Sequence, residues 1–317
     1  MHLVADNLIL FAAVSTWLKP LWMVGAGALA AAGLVGAAFL ALRLAAPKVA
    51  AIAHTTAKEA MSQPLFYGLW AIGWVAMLIF LFVSYYTFGE DLKMVKSEGL
   101  TLIKILGIIL AVWTASVSIA DEIEGRTALT LLSKPIARRQ LILGKYLGIL
   151  GPVAILFILL GTLFLATVSY KVVYDARETA RPDPTSRECY EEIAQVVPGL
   201  GLAFMETMVL ASVSVAISTR LPMLPNLVIC VSIYVLGHLV PILVNSKVGK
   251  DIVFVRFVGD FSAAILPVLD HFNMETAIST GQHVPMTYLL WTALYCGVYC
   301  AVAMLLALLL FEDRDLA

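Results

Sequence analysis

Charged residues are scarce in this sequence. They make up 14% of its 317 residues, whereas hydrophobic residues make up 61%, and the mean hydropathy is +0.92. Soluble domains contain about 25% charged and about 45–50% apolar residues, so this composition excludes a soluble protein. The formal net charge is −1, and the sequence has no basic run that would indicate a nucleic-acid partner. The apolar excess therefore indicates a chain embedded in lipid.

Cysteine is also scarce, and its placement predicts neither a metal site nor a disulfide framework. The four cysteines are Cys189, Cys230, Cys296 and Cys300, and they have neither metal-ligand spacing nor an even distribution in loops. Cys296 and Cys300 are one helical turn apart in an apolar run, where we interpret them as small packing residues. The isolated His and Met residues near positions 271 and 283 do not define a copper site, so no metal is predicted.

Sequence motifs for enzymatic chemistry are missing as well. There is no G-x-S-x-G nucleophile elbow and no H-E-x-x-H zinc pair, although a site assembled from distant residues remains an alternative. A phosphate-binding loop needs G-x-x-x-x-G-K-[ST]. The Gly-Lys pairs at 144–145 and 249–250 lack the upstream glycine and the following hydroxyl residue. We therefore expect a chain that is not an enzyme and has no cofactor of its own.

Seven apolar stretches are long enough to cross a membrane as helices. About 20 apolar residues span the roughly 30 Å hydrocarbon core. The predicted spans are 20–43, 65–87, 100–120, 147–170, 196–218, 224–245 and 285–311. The sequence thus predicts an all-α integral membrane protein, and we interpret its first span as an added N-terminal anchor that stays in the mature protein. Residues 1–19 are too few to span and are predicted to lie at the interface, with Trp17 and Trp22 at headgroup depth.

The distribution of Lys and Arg predicts the orientation of the spans. Alternate loops form two sets that hold ten Lys and Arg residues each. The set that includes 43–64 and 121–146 has the shorter loops, and short loops obey the positive-inside rule most strongly. We therefore place these loops in the cytoplasm and the polar segments 171–195 and 246–284 outside. Part of 246–284 is apolar and is expected to rest on, or dip into, the outer leaflet.

The loop 121–145 is the most informative stretch. It opens with the acidic residues Glu122 and Glu124 and ends with basic residues, an order that suits a helix dipole. Pro135 should end this helix, because the residue before a proline disfavours the α conformation. The pattern predicts an amphipathic helix, a turn and a basic lead-in to the next span. Such a helix is suited to binding a soluble partner. The alternative is an ordinary interfacial loop that obeys the positive-inside rule.

The same stretch resembles the signature of ABC-2 type transporter permeases. The matching residues are Glu122-x-Glu124-Gly125-Arg126-Thr127, then Leu131-Leu132-Ser133-Lys134-Pro135-Ile136-x-Arg138, and Gly144-Lys145. The run 54–66 resembles the family's N-terminal interfacial helix, 266–273 its external segment and 311–316 its short cytoplasmic tail. Together these similarities cover roughly residues 48–316.

The resemblance implies a protein of the cell membrane whose six-helix permease core has both of its ends in the cytoplasm. The extra first helix would place the N-terminus outside. The chain then divides into 1–47, the interfacial segment with the added helix, and 48–317, the permease domain. The permease would form a homo- or heterodimer above two separate ABC ATPase subunits, which bind ATP and magnesium, and would export a substrate that the sequence does not define.

The resemblance also makes 121–137 the coupling helix that sits in a cleft of the ATPase. The candidate coupling residues are Glu122, Glu124, Arg126, Thr127, Leu132, Pro135 and Arg138. A secondary transporter and a non-transporting structural subunit remain alternatives. A secondary transporter is expected to have broken spans in matching halves, whereas the proline-bearing fifth and sixth spans have no counterpart in the first half.

Two ionisable residues inside the spans are candidates for a translocation path or a packing contact. Charged side chains are costly in lipid, so Glu206 and His238 attract attention. Each is about 14 residues from the cytoplasmic end of its span, and the two spans run antiparallel, so a rise of about 1.5 Å per residue puts them at a similar depth. We expect them to pair, either along a path or as a structural hydrogen bond. Lys104 lies one turn inside its span and is predicted to reach outward to the headgroups.

Overall fold

Helices account for nearly all of the structure. It is a computed structural model that describes residues 16–82, 91–120, 137–179, 182, 184–245, 257, 259, 261 and 266–312. These residues contain no strand, so the predicted all-α membrane fold is confirmed. The helices are α1 (Leu21–Ala45), α2 (Pro47–Ser62), α3 (Pro64–Phe82), α4 (Asp91–Ala115), α5 (Arg138–Glu178), α6 (Ser186–Ser218), α7 (Met223–Asn245), α8 (Glu275–Ser279) and α9 (Met286–Glu312). A π-helical turn, Ser116–Ala120, continues α4, and a 3-10 turn, Leu269–Phe272, precedes α8.

Among the described residues, six helical stretches are long and apolar enough to cross a membrane. They are Thr16–Ala45, Pro64–Phe82, Asp91–Ile119, Arg138–Glu178, Ser186–Ser218 and Met286–Phe311, and they overlap six of the seven predicted spans. The remaining prediction, 224–245, falls on α7, whose stretch Met223–Leu239 is a shorter apolar helix. The seven-span count therefore stays a prediction.

Several helices are longer than their apolar stretches. The spanning helix α5 has 41 residues, or roughly 60 Å at 1.5 Å per residue, about twice the thickness of the hydrocarbon core. Residues 171–178, assigned from their polarity to an outer segment, continue this helix. At the other side of the connection, the Thr185 hydroxyl accepts a hydrogen bond from the Glu188 N–H at 3.4 Å and caps α6. Hydropathy locates the membrane-crossing part of a helix, and the polar residues that follow it still favour helical structure.

The centre of the bundle is formed by α4, α5 and α6, with α9 packed against α6. Glycines let α4 and α5 approach closely. A Cβ atom at Gly99 would lie 2.1 Å from the Phe164 ring, and one at Gly107 would lie 2.4 Å from the Phe157 ring. The two phenylalanines therefore fill the space of the missing side chains. This packing holds α4 and α5 together over two helical turns.

The amphipathic helix α2 packs along the first part of α5. Its buried residues, which include Ile52, Ala53 and Thr56, face α5 where Gly144 and Gly148 have no side chain. The α2 end of the bundle is defined here as the end that carries α2, the start of α5 and the end of α4. The α8 end is the opposite end.

Gly148 provides a test of this contact. We expect Gly148→Ala to lower the free energy of unfolding by about 1–3 kcal/mol, the range for overpacking a filled site. The reason is that the new Cβ atom would lie 2.7 Å from the carbonyl oxygen of Ala53. The measurement is denaturant unfolding of the purified protein in detergent. The matched control is Gly151→Ala on the same helix, whose Cβ would lie 3.4 Å from Ala57. Equal stability of the two variants would contradict the close α2–α5 contact.

The first helix, α1, is only loosely attached to the rest. Its single buried residue is Val24, and Trp22 is 68% exposed. Among the described neighbours, no atom lies within 4 Å of a Cβ placed at Gly33 or Gly36. At its beginning, the carbonyl oxygen of Trp17 accepts a hydrogen bond of 3.0 Å from the Ser169 hydroxyl. Contacts with α2 and α5 thus hold α1 mainly by one side.

Candidate functional site

Most of the predicted coupling residues lie outside the described residues. These are Glu122, Glu124, Arg126, Thr127, Leu132 and Pro135. The described chain nevertheless fixes both ends of this segment. The π-helical turn ends at Ala120, and α5 begins at Arg138. The segment therefore connects α4 directly to α5, two helices that pack against each other in the centre of the bundle.

Arg138 is the predicted coupling residue that the structure describes. Its Nη1 donates a hydrogen bond of 3.4 Å to the carbonyl oxygen of Phe311, and its guanidinium carbon lies 5.7 Å from the centre of the Phe311 ring. A guanidinium over an aromatic ring is a favourable cation–π arrangement. Arg138 thus ties the beginning of α5 to the end of α9. Its predicted role at an ATPase stays a prediction.

Glu206 and His238 lie next to each other inside the bundle. Glu206 is on α6 and is fully buried, and its Oε1 lies 3.5 Å from Nε2 of His238 on α7. The second ring nitrogen of His238, Nδ1, lies 3.1 Å from the carbonyl oxygen of Tyr234. Neither Glu206 oxygen has a hydrogen-bond partner among the described residues. The geometry is therefore one of proximity rather than a tight hydrogen bond.

Lys104 does not reach the headgroups, so that prediction is wrong. Its side chain is 5% exposed, with Nζ 2.7 Å from Oε1 of Glu275 and 3.7 Å from Oε2 of Glu206. Removing an ammonium group from water is costly unless a counter-charge and hydrogen bonds compensate. Carboxylates on α6 and α8 provide that compensation at the depth of Lys104 itself. The side chain therefore turns into the bundle.

Glu275 is the member of this site that the sequence did not reveal. It is the first residue of α8, in a segment assigned to the outer surface of the membrane. Its Oε2 accepts a hydrogen bond of 2.8 Å from the Thr101 hydroxyl, one turn from Lys104 on α4. Leu269, Phe272 and Ile278 on either side are buried against the bundle. The signal available in the sequence was Lys104. A lysine inside a span with no assigned partner indicates that a carboxylate lies nearby.

These five residues form one site, which we name the ionic cluster: Thr101, Lys104, Glu206, His238 and Glu275. The cluster joins α4, α6 and α8 through charged groups in the apolar interior, and the His238 ring of α7 lies beside Glu206. The two carboxylates share Lys104, which therefore has one acidic partner on α6 and another on α8. Because Coulomb interactions strengthen where water is excluded, the contacts of Lys104 with the two carboxylates hold α4, α6 and α8 together.

A second ion pair of α4 lies nearer the α8 end. Nζ of Lys96 donates hydrogen bonds to Glu192 and, at 3.2 Å, to Gln195 on α6. Lys96 is 2% exposed. Lys96 and Lys104 are two helical turns apart on α4, so they project from the same face. This face of α4 is thus tied to α6 and α8 by charge.

Three acidic side chains at the α8 end have the spacing of metal ligands. They are Asp91, Asp175 and Glu178, whose nearest oxygen atoms lie within 4.8 Å of one another. Nζ of Lys171 lies 3.0 Å from Asp175 and 3.8 Å from Asp91. This ammonium group already supplies positive charge between the carboxylates. We therefore assign no metal to them.

A neutral polar cluster lies toward the α2 end. The amide nitrogen of Asn226, which is fully buried on α7, lies within hydrogen-bond distance of the hydroxyls of Ser116, Ser214 and Ser218, at 2.7, 2.9 and 2.8 Å. The Cys230 thiol donates to its Oδ1 at 3.3 Å. Asn226 thus joins the π-helical turn after α4 to α6 and α7. The sequence did not indicate this cluster, because single serines in apolar helices usually bond their own backbone.

Comparison with known proteins identifies the family. No curated protein matches the chain. A family model described as "ABC-2 family transporter protein" matches residues 7–316, which is nearly the whole chain. Members of this family are the membrane permease components of ABC transporters, and as a rule they work with an ABC ATPase subunit. The multi-pass helical bundle agrees with this match. The chain therefore belongs to the ABC-2 transporter family.

Proposed function

We propose that this permease exports a substrate by coupling its ionic cluster, through α4, to ATP hydrolysis in a separate ATPase subunit. The observation that carries the proposal is the arrangement of α4. Its far end leads directly into the predicted coupling segment 121–137, and its middle carries Lys104. The distance from Ser116 to Lys104 along the helix axis is about 18 Å, and α4 is buried for most of this length.

The ionic cluster provides a contact that can change without leaving the buried ammonium group of Lys104 unpaired. Lys104 is bound to Glu275 at 2.7 Å, and the second carboxylate, Glu206, is 3.7 Å away with both oxygens free of hydrogen bonds from described residues. A small movement of α4 relative to α8 transfers Lys104 from Glu275 to Glu206. Lys104 therefore has a carboxylate partner in both states and avoids the penalty for an isolated buried charge.

The proposed cycle follows from this exchange. ATP draws two ATPase subunits together, and they press on the coupling segments of a permease dimer at the α2 end, which faces the cytoplasm. The movement passes into α4 and α5, releases Glu275, and opens the α8 end to the outside. Hydrolysis then restores the Lys104–Glu275 pair. In this arrangement Glu122, Glu124 and their neighbours contact the ATPase, and both ends of the six-helix core are cytoplasmic in the cell membrane.

The test is co-purification in mild detergent, followed by an ATPase assay. We expect an ATPase with a phosphate-binding loop to co-purify with the tagged wild-type protein. The substitution Glu124→Lys should abolish its retention or its coupled turnover, because it reverses a charge in the coupling segment. The matched control is Glu191→Lys, a charge reversal at an exposed residue of the α8 end, which should retain the ATPase. The absence of any ATPase across detergents, with a silent Glu124→Lys, would favour a secondary transporter or a structural subunit.

A further inference from the structure

Glu206 and His238 face each other through buried atoms that have no hydrogen-bond partner. Both carboxylate oxygens of Glu206 and Nε2 of His238 are unsatisfied among the described residues. The Glu206 side chain is 0% exposed, and its Oε1 lies 3.5 Å from this nitrogen. Nearly all buried polar atoms of native proteins make hydrogen bonds. These atoms therefore indicate a ligand that supplies a hydrogen-bond donor.

A neutral imidazole cannot satisfy both of the oxygens that the His238 ring faces. Its Nδ1 lies 3.1 Å from the carbonyl oxygen of Tyr234, and its Nε2 faces Oε1 of Glu206. A carbonyl oxygen and an ionised carboxylate are both acceptors, whereas a neutral imidazole has a proton on one nitrogen and a lone pair on the other. Whichever nitrogen carries the proton, the other contact brings two acceptors together.

One additional proton removes this conflict. If it resides on His238, the imidazolium has two N–H donors, one for each oxygen. If it resides on Glu206, the carboxyl O–H donates to Nε2 while the Nδ1–H donates to the Tyr234 carbonyl. Both arrangements replace a contact between two acceptors with a donor–acceptor contact. The two residues thus hold the proton jointly and titrate as a pair.

The charge of the ionic cluster leads to the same conclusion. Lys104 contributes one positive charge, whereas Glu206 and Glu275 contribute two negative charges when both are ionised. The side chains of Lys104 and Glu206 are 5% and 0% exposed, and an uncompensated buried charge is costly. Lys104 also lies closer to Glu275, at 2.7 Å, than to Glu206, at 3.7 Å. One proton on the Glu206–His238 pair makes the cluster electrically neutral.

Two further titratable groups lie within electrostatic reach of the pair. They are Tyr234 on α7, whose ring centre lies 4.8 Å from that of His238, and Asp270 in the 3-10 turn before α8. A tyrosine is ordinarily neutral at neutral pH, and an ionised aspartate adds negative charge. Neither group supplies the positive charge that the cluster needs, and Asp270 favours the uptake of a proton.

Donors on the other helices that pack against α6 have different acceptors. The Tyr146 hydroxyl of α5 donates to the Met208 carbonyl at 3.3 Å, and the Cys296 thiol of α9 donates to the Met205 carbonyl at 3.5 Å. A water molecule does not fit between Oε1 and Nε2, because two hydrogen bonds of about 2.8 Å join atoms that are roughly 4.5 Å apart. A proton is the donor that fits this contact.

We propose that Glu206 and His238 form a proton-binding site, which holds one exchangeable proton between Oε1 and Nε2 at neutral pH. The ligand is a proton rather than a metal ion, because Lys104 already places positive charge 3.7 Å from the carboxylate. The site follows from the positions of these side chains and does not depend on the coupling mechanism. The proton can reside on His238, so Glu206 stays available to Lys104 as a carboxylate. Once the pair loses the proton at alkaline pH, Glu206 depends on Lys104 alone.

The proton makes folding depend on pH in a defined direction. In an unfolded chain glutamate and histidine have pKa values of about 4.3 and about 6.5, so both have largely lost their protons above about pH 7. The native pair retains one proton there, so folding takes up a proton and stability falls as the pH rises. For one proton, the folding equilibrium constant falls about tenfold per pH unit. This dependence ends where the native pair also releases its proton.

The test is denaturant unfolding of the purified protein in detergent at about pH 7 and about pH 8. The variants are Glu206→Gln and His238→Gln, in which an amide supplies the donor without a titrating proton. We expect the folding equilibrium constant of the wild type to fall up to about tenfold more between the two pH values than that of either variant. The matched control is Glu191→Gln on α6, a side chain that is 52% exposed and should leave the pH dependence of the wild type unchanged.

A second measurement examines the proton at the ring itself. Nitrogen NMR spectra are recorded on protein labelled at histidine, and the His238 signals are those that are absent from His238→Gln. At about pH 7, both ring nitrogens of His238 should be protonated or hydrogen-bonded. A ring nitrogen with a free lone pair at this pH would overturn the proposal. Equal pH dependence of folding in the wild type and both pair variants, or a loss of that dependence in Glu191→Gln, would also overturn it.

Discussion

Replacing Lys104 with methionine is expected to reduce the free energy of unfolding by about 3–5 kcal/mol, the cost of breaking a buried ion pair from one side. The substitution keeps the length and the apolar stem of the side chain. It leaves Glu206 and Glu275, 0% and 20% exposed in their side chains, without their ammonium partner. The measurement is denaturant unfolding in detergent. The control is Lys58→Met at an exposed residue of α2, where the change should stay within about 0.5 kcal/mol.

A double substitution identifies the cause of this loss. Lys104→Met combined with Glu206→Gln should be more stable than Lys104→Met alone, because one uncompensated carboxylate is removed. If Lys104→Met unfolds like Lys58→Met, or if Glu206→Gln restores nothing, the ionic cluster does not hold the bundle together. In the assembled transporter, Lys104→Met should also uncouple ATP hydrolysis from transport, since α8 has lost its charged link to α4.

Asn226→Leu is the second substitution with a large expected effect. It removes the amide that contacts the hydroxyls of Ser116, Ser214 and Ser218, while keeping a similar volume. We expect a loss of about 1–3 kcal/mol of unfolding free energy, the cost of leaving buried polar groups unsatisfied. Denaturant unfolding in detergent measures it.

A neighbouring serine is the control for Asn226. Ser232 on the same helix is exposed, and its hydroxyl donates to the Val228 carbonyl of its own helix at 2.8 Å, so Ser232→Ala should leave stability unchanged. The double variant Asn226→Leu with Ser116→Ala should lose less than the sum of its single effects, because the two side chains share one hydrogen bond. Strict additivity would show that the contact between α7 and the π-helical turn does not contribute.

The sequence predicted the membrane fold because hydrophobic length alone determines which helices enter lipid. The sequence also predicted that Glu206 and His238 lie at a similar depth, because the rise per residue of a helix is constant and both positions were counted from the cytoplasmic ends of their spans. Glu275 escaped because its position depends on how α8 folds back onto α4 and α6. That fold is set by the burial of Leu269, Phe272 and Ile278, and their pattern equally suits an outer-leaflet helix.

The error at Lys104 has the same origin. The prediction for Lys104 rested on its distance to the headgroups, which depends on one helix alone. The deciding factor was the presence of carboxylates on two other elements, which becomes visible only when the helices are packed.

The π-helical turn Ser116–Ala120 has a consequence for the direction of movement in α4. A π turn holds one residue more than an α turn, so it stores a shift of register between α4 and the chain that follows. If that extra residue passes into the regular helix, every following side chain rotates by about 100° around the axis while the helix stays straight. A push from below the bundle would then be converted into torsion, and α4 could turn its charged face without sliding through the membrane.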